Sequence, residues 1–299
     1  MCPRTERELP WCADISSMRK GKNRFAQGAY DIHFHTSPDV AQRKCTDIEL
    51  AERAKASGMA GFVIKGHFAD TTGRAAILKE LYPELRIAGG VTLNRSAGDL
   101  NPQAVEKAAQ MGGKFVWFPT LDSLEFQKFK NPDKAIGELP DGLITVFDGK
   151  GGLKKEVYEI LNLCAEYDLV VGTGHMSAKE GLAVISAGKS AGVKRMIVTH
   201  ADNPADAYSV EQQRMAVSMG AFIEHCYFTT YYGRVTASEI CRQIEAVGSR
   251  HVILSTDLGQ PQGLHSDEGL EEYADVLMKE GISEAAVREM MCRNPEQLV

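Results

Sequence analysis

Residues 29–36 read "AYDIHFHT", a short apolar run that carries two histidines one residue apart and leads into the turn-forming "SPDV" of residues 37–40. Side chains repeat every second residue along a β-strand, so His33 and His35 share a face. Two readings follow: a strand with two polar residues on one side, or a pair of imidazoles aimed at one metal ion. The choice depends on what the rest of the chain brings to the same place.

Seven further runs of similar length follow: "GFVIKGHF" (61–68), "LRIAGGVTLNR" (85–95), "GKFVWFPT" (113–120), "LVVGTGH" (169–175), "KRMIVTHA" (194–201), "AFIEHCYF" (221–228) and "HVILSTDLGQ" (251–260). Between them lie segments such as "TDIELAERAKASG", "NPQAVEKAAQMG", "KEVYEILNLCAEYD", "SAKEGLAVISAGKSAG" and "TASEICRQIEAVGS". Their apolar residues recur at three and four, and several end at Gly, the usual helix stop. Strand then helix, eight times in roughly 250 residues, is the pattern of an α/β (β/α)8 TIM barrel. An open doubly wound sheet is the alternative, and would more often carry a Gly-rich phosphate loop after its first strand.

The expected organisation is an N-terminal extension over residues 1–28 and a single barrel domain over 29–299. A long insertion, 121–153, follows the fourth strand and is too long for an ordinary loop. Its "GLITVFDGKGG" stretch predicts a small β-hairpin with Asp-Gly turn chemistry. Placed after a strand, the insertion is either a lid over the barrel mouth or a surface decoration.

At 43% hydrophobic and 25% charged, the 299 residues suit a large globular core and argue against disorder. A net charge of −6 and the lack of a basic run argue against nucleic acid as a partner. The first twenty residues hold no apolar signal-peptide core, and nowhere do about 18 apolar residues run together. A cytoplasmic protein with no membrane partner is therefore expected. The seven cysteines, odd in number and without close pairs, read as reduced thiols, and Cys2 and Cys12 are too isolated for half a zinc ribbon. A homo-oligomer is compatible with the size, but no segment names an interface.

In such a barrel the functional face lies at the carboxyl ends of the strands. The ionisable residues there are His33 and His35 on the first run, Lys65 and His67 on the second, Arg95 after the third, His175 on the fifth, His200 on the sixth, Glu224 on the seventh and Asp257 on the eighth. His225, His251 and His265 read as pleat-outward, strand-entry and loop residues. Each group alone has a plain explanation, a hydrogen-bonded core histidine or a helix cap. Together they would cost about 1 to 7 kcal/mol per unsatisfied buried group. A divalent cation resolves the conflict, since neutral imidazole and carboxylate are its ligands.

"DIHFHT", "GTGH", "VTHA" and "STDLGQ" together resemble the metal-dependent hydrolases of the amidohydrolase superfamily. Those enzymes carry His-x-His on the first strand, histidines ending the fifth and sixth, and an aspartate ending the eighth. The resemblance implies that His33, His35 and Asp257 hold one metal, and that His175 and His200 hold a second or orient substrate. It also implies that Asp257 takes the proton of the attacking water. Zn2+ is the expected ion, with Mn2+ or Fe2+ as alternatives.

One departure stands out. Two-metal members commonly bridge their ions with a carboxylated lysine or a glutamate from the fourth strand, which here reads "KFVWFPT" and offers neither. Lys65 and His67 on the second run face the same way instead. Lys65 is either a carboxylated metal bridge or an ammonium that polarises a carbonyl or binds a substrate carboxylate. Glu224 completes a metal shell, acts as a base or orients a ligating histidine. Arg95 suits an anionic substrate group, with a solvated loop arginine as the alternative. Trp117, Tyr227 and Phe228 wall a substrate pocket or pack the core.

The expected function is hydrolysis of a small cyclic amide, lactone or related C–N or C–O bond. The alternatives are a metal-dependent decarboxylase or phosphoesterase on the same scaffold, or a non-catalytic metal-stabilised barrel. The expected partner is a small molecule, anionic if Arg95 grips it.

Overall fold

The computed structural model describes residues 24–299, so Cys2, Cys12 and the expected extension up to residue 23 lie outside the described residues. The order of elements is β1 (Tyr30–Phe34), α1 (Asp47–Ser57), β2 (Gly61–Ile64), α2 (Thr72–Leu81), β3 (Arg86–Ala88), β4 (Gly90–Thr92), α3 (Pro102–Gln110), β5 (Phe115–Trp117) and α4 (Leu124–Lys130). It continues with α5 (Lys155–Glu166), β6 (Val170–Gly172), α6 (Ala178–Ala191), β7 (Arg195–Val198), α7 (Val210–Ser218), β8 (Ala221–Cys226), α8 (Tyr227–Tyr231), α9 (Ala237–Val247), β9 (Val252–Ser255) and α10 (Ser266–Lys279). Short helical pieces close the chain.

The helices begin and end where local chemistry directs. Thr46 and Glu49 form a reciprocal capping box at the start of α1, which stops at Gly58 with φ 75°. Ser177 and Glu180 cap α6 in the same way, and Gly192 ends it at φ 87°. No helix among the described residues is long and apolar enough to cross a membrane. Cys45, Cys164, Cys226, Cys241 and Cys292 are free thiols.

All the strand pairings are parallel, in the orders β1-β2-β3 and β4-β5-β6-β7-β8-β9. Residues 85–95, expected as one strand, are two, broken at Gly89. Thr71 crosses there, donating its N–H to the Gly90 carbonyl at 3.0 Å. A Cβ on Gly89 would meet the Thr71 carbonyl oxygen at 2.5 Å, so only glycine admits this crossing. At the other end, His35 N donates to the Leu258 carbonyl (3.0 Å) and Asp257 N to the His33 carbonyl (2.8 Å), joining β1 to the segment after β9.

Strand residues alternate between two cores. Tyr30, Ile32, Val63, Phe115, Trp117 and Ile253 belong to an inner cluster, while Phe34, Phe62, Ile64, Val116 and Leu254 pack in the larger core with the helices. Strand β1 breaks the alternation: its register advances from Asp31 to Phe34 while β2 advances only from Phe62 to Ile64. The extra residue is a β-bulge, a device that re-aims side chains beside active sites. Asp31 accordingly turns outward and accepts hydrogen bonds from Thr256 Oγ1 (2.6 Å) and Ser266 Oγ (2.7 Å), whereas His33 turns in with Ile32.

Only the tip of the expected hairpin forms, an antiparallel bridge from Phe147 to Leu153 around the Asp-Gly turn. The insertion holds α4, a 3-10 turn at Ile136–Glu138, and two isolated bridges, Ser123 to Ile144 and Phe147 to Leu153. Ile144 and Val146 are buried and pair with Asp122, Leu124 and Lys154 through the backbone, so the strand-like run is consumed by neighbouring chain. The Asp148 carboxylate accepts from Lys150 N and Gly152 N, and Asp148 N donates to the Gly152 carbonyl at 2.8 Å, so side chain and backbone together close the Asp-Gly loop.

Candidate metal centre

The bulge in β1, strand β8 itself and the segments following β2, β6, β7 and β9 bring the ionisable residues together. His33 is at the centre. Its Nε2 lies 3.0 Å from Asp257 Oδ1 and 2.8 Å from Lys65 Nζ, and its Nδ1 lies 3.1 Å from Glu224 Oε2. His35 Nε2 approaches the same Asp257 oxygen at 3.2 Å. The potential ligand atoms of His33, His35 and Asp257 all lie within 4.8 Å of one another, as do those of His33, Glu224 and Cys226.

Five imidazoles form a circuit. Ring centroids are separated by 5.5 Å from His33 to His35, 4.7 Å to His67, 5.6 Å to His175, 4.8 Å to His200 and 5.6 Å back to His33. His67 Nδ1 is held by Thr120 Oγ1 at 2.9 Å, and Thr120 is held in turn by Asn94. His200 Nδ1 is 3.2 Å from Asp206 Oδ2. By hydrogen-bond geometry, both His200 nitrogens, both Asp206 oxygens and the Nδ1 atoms of His35 and His175 are buried without partners. His200 (φ 29°) and Asp257 (φ 51°) also sit in left-handed backbone, two of the four described non-glycine residues that do so. Such positions cost about 1 to 3 kcal/mol each and gather at functional sites.

The electrostatics match a cation site. Burial pulls His35 down to about 4 and holds His67 and His175 well below the usual histidine range, so these rings are neutral donors. Burial also opposes charge on His33, yet the Asp257 and Glu224 carboxylates push it up to about 9. Glu224 is raised by burial but held down at about 2 by His33 and Lys65, and Asp257 lies well below the carboxylate range for the same kind of reason. Burial lowers Lys65, whose side chain stands 5.7 Å over the Trp117 ring. Two buried carboxylates and several neutral imidazoles with orphaned nitrogens are a donor set that fits a divalent ion.

A cavity of about 190 Å³ opens beside this cluster. His35, His67, His175 and Asp257 form its inner end, Leu121, Phe126, Phe129 and Phe228 its walls, and Arg43, Lys130 and Arg234 add positive charge. Leu121, Phe126, Phe129 and Lys130 come from the insertion. Of the aromatic candidates, Phe228 lines the cavity, Trp117 belongs to the inner core, and Tyr227 packs on Tyr273 with its hydroxyl on Glu272.

Arg95 is not among the residues that line the cavity. It opens the 3-10 turn Arg95–Ala97, and its side chain is exposed, with Nη1 donating to the Asp141 carbonyl at 3.2 Å. Its neighbour Asn94 faces the site instead, bonding the His67 carbonyl and Thr120. Arg43 and Arg234 follow the first and seventh predicted strands and carried the same positional signal as Arg95. Asp206, six residues past His200, carried none. His225 is buried with Nδ1 on Asp202 at 2.8 Å, outside the circuit.

Residues 28–224 match the model of a family of unknown function, DUF6282, a span that includes His33 through Glu224 and stops before Asp257. No curated protein matches the chain. Among solved structures, it is similar to an amidohydrolase from Pseudomonas aeruginosa (13% identity, 93% of this chain and 97% of that one, TM-score 0.63). It is also similar to a TatD homologue from Escherichia coli K12 (18%, 91% and 98%, 0.57) and to 2,6-dihydroxybenzoate decarboxylase from Rhizobium (12%, 91% and 98%, 0.54). At these identities the likeness is one of fold. The chain belongs to the family DUF6282 and has the fold of the amidohydrolase-superfamily enzymes.

Proposed function

We propose that this chain is a closed (β/α)8 metal-dependent hydrolase acting on a small cyclic amide, lactone or related C–N or C–O bond. The observation that carries the reading is the approach of His33 Nε2 and His35 Nε2 to one oxygen of Asp257, ringed by buried imidazole nitrogens without partners. The hydrogen bonds that join β1 to residues 257 and 258 support closure.

His33, His35 and Asp257 would hold one divalent ion, and His175 with His200 would hold a second or orient substrate. Zinc suits this imidazole and carboxylate set, and Mn2+ or Fe2+ binds similar ligands. A bound ion would supply an acidified water and polarise the scissile bond. Asp257 takes the water's proton and passes it to the leaving group. Lys65 is the second catalytic group, polarising the substrate carbonyl as an ammonium; in its carboxylated form it would bridge two ions instead. Glu224 orients His33 through Nδ1, and His67, fixed by Thr120, faces the substrate. The α4 part of the insertion serves as a lid, a role supported by the three residues it gives the cavity, Phe126, Phe129 and Lys130. The free thiols support a reducing, cytoplasmic setting.

The test is hydrolysis of a panel of lactones and cyclic amides by metal-loaded wild type and Asp257→Asn, with metal content measured in both. Turnover lost in the variant with metal retained is the expected result. Turnover unchanged in Asp257→Asn would refute the assignment.

A further inference from the structure

The cavity is chemically lopsided. Its only carboxylate among the described residues, Asp257, lies at the inner end, while three cationic side chains line it elsewhere. Arg43 is already paired, 2.7 Å from Asp39. Lys130 and Arg234 have no carboxylate partner among the described residues, and they reach the cavity from opposite parts of the chain, the end of α4 and the loop after α8. Arg234 is also prepared for a ligand. Its backbone N–H donates to the Thr229 carbonyl at 2.7 Å and anchors the chain there, while its guanidinium carbon stands 4.6 Å over the Phe228 ring, a stacking that orients the planar fork and leaves its N–H donors free. The space beside it is apolar, walled by Phe126, Phe129 and Phe228.

We propose that Arg234 and Lys130 receive the carboxylate of a small planar organic acid, whose unsaturated body lies against Phe228 and Phe126. A carboxylate matches the guanidinium fork two oxygens to two N–H groups, which a neutral amide does not. A volume of about 190 Å³ lies below the range of drug-sized sites, which selects a single ring or its equivalent. The inference rests on the proposed hydrolase only for the position of the reacting bond, at the His35 and Asp257 end; the anion grip itself stands on the cavity.

The probes are benzoate, benzamide and phenyl phosphate, titrated calorimetrically into the purified full-length protein. Benzoate is expected to bind at least about tenfold more tightly than benzamide, and to weaken at least about tenfold in Arg234→Gln and in Lys130→Gln, with Arg95→Gln unchanged. Circular dichroism checks folding, and Arg234→Lys, which keeps charge but loses the fork, is expected to bind with intermediate affinity. Benzoate no tighter than benzamide, indifference to Arg234→Gln, or phenyl phosphate tighter than benzoate would each overturn the proposal. Arg234-dependent benzoate binding without turnover of any lactone or cyclic amide would refute the hydrolase and leave the anion site standing.

Discussion

Gly259 follows the Asp257 corner, and replacing it with alanine tests how closely β1 and the segment after β9 are fitted. Its φ of 120° lies where only glycine resides comfortably, and a Cβ there would sit 2.0 Å from the His35 carbonyl oxygen. That contact is with backbone, so relief requires one strand end to move by about 1 Å, and a displacement of this size typically lowers activity about 100-fold. The backbone strain adds about 1 to 3 kcal/mol of destabilisation. For a chain of this size the melting temperature should fall by about 2 to 10 °C. Differential scanning fluorimetry reads the stability, and metal content after dialysis reads whether His35 still reaches its place. A melting temperature within about 1 °C of wild type, with metal content unchanged, would refute the close fit.

Thr120→Val removes the hydroxyl that bonds His67 and Asn94 in a buried setting, and should destabilise by about 1 to 3 kcal/mol in urea unfolding; an unshifted midpoint would release His67 from this anchor. Arg53 bridges α1 to α10 through two 2.9 Å bonds to Asp267, whose side chain is buried, so Arg53→Gln should cost about 3 to 5 kcal/mol, and a loss below about 1 kcal/mol would demote the pair to a surface ion pair. Chelator dialysis should lower the melting temperature and added zinc restore it, by about 2.7 kcal/mol of stability at a hundredfold excess over Kd; identical melting with and without zinc would contradict a site formed only in the folded chain.

The strands were legible because parallel strands covered on both faces read as near-continuous aliphatic runs. The break at Gly89 was not, since it depends on Thr71 crossing from elsewhere. Nor was the bulge in β1: the two-residue spacing does put His33 and His35 on one face, but only the extra residue decides that this face looks inward while Asp31 looks out. The surroundings of Arg95 were not legible, because a position after a strand says nothing about the turn that follows, here a 3-10 turn from which Arg95 bonds the Asp141 carbonyl. The hairpin was legible only at its Asp-Gly turn, since Ile144 pairs with Asp122 and Leu124 instead of across the turn. Asp206 was invisible, since the second aspartate of "ADNPADAY" reads as loop until folding sets it against His200.

The central claim is that His33, His35 and Asp257 hold a divalent ion. Plasma mass spectrometry on protein purified without chelator or affinity-tag metal, comparing wild type with His35→Ala, tests it most directly. At least one zinc, manganese or iron per wild-type chain, lost in the variant, is the predicted result. A wild-type chain without metal, or a variant that keeps its full complement, would contradict it.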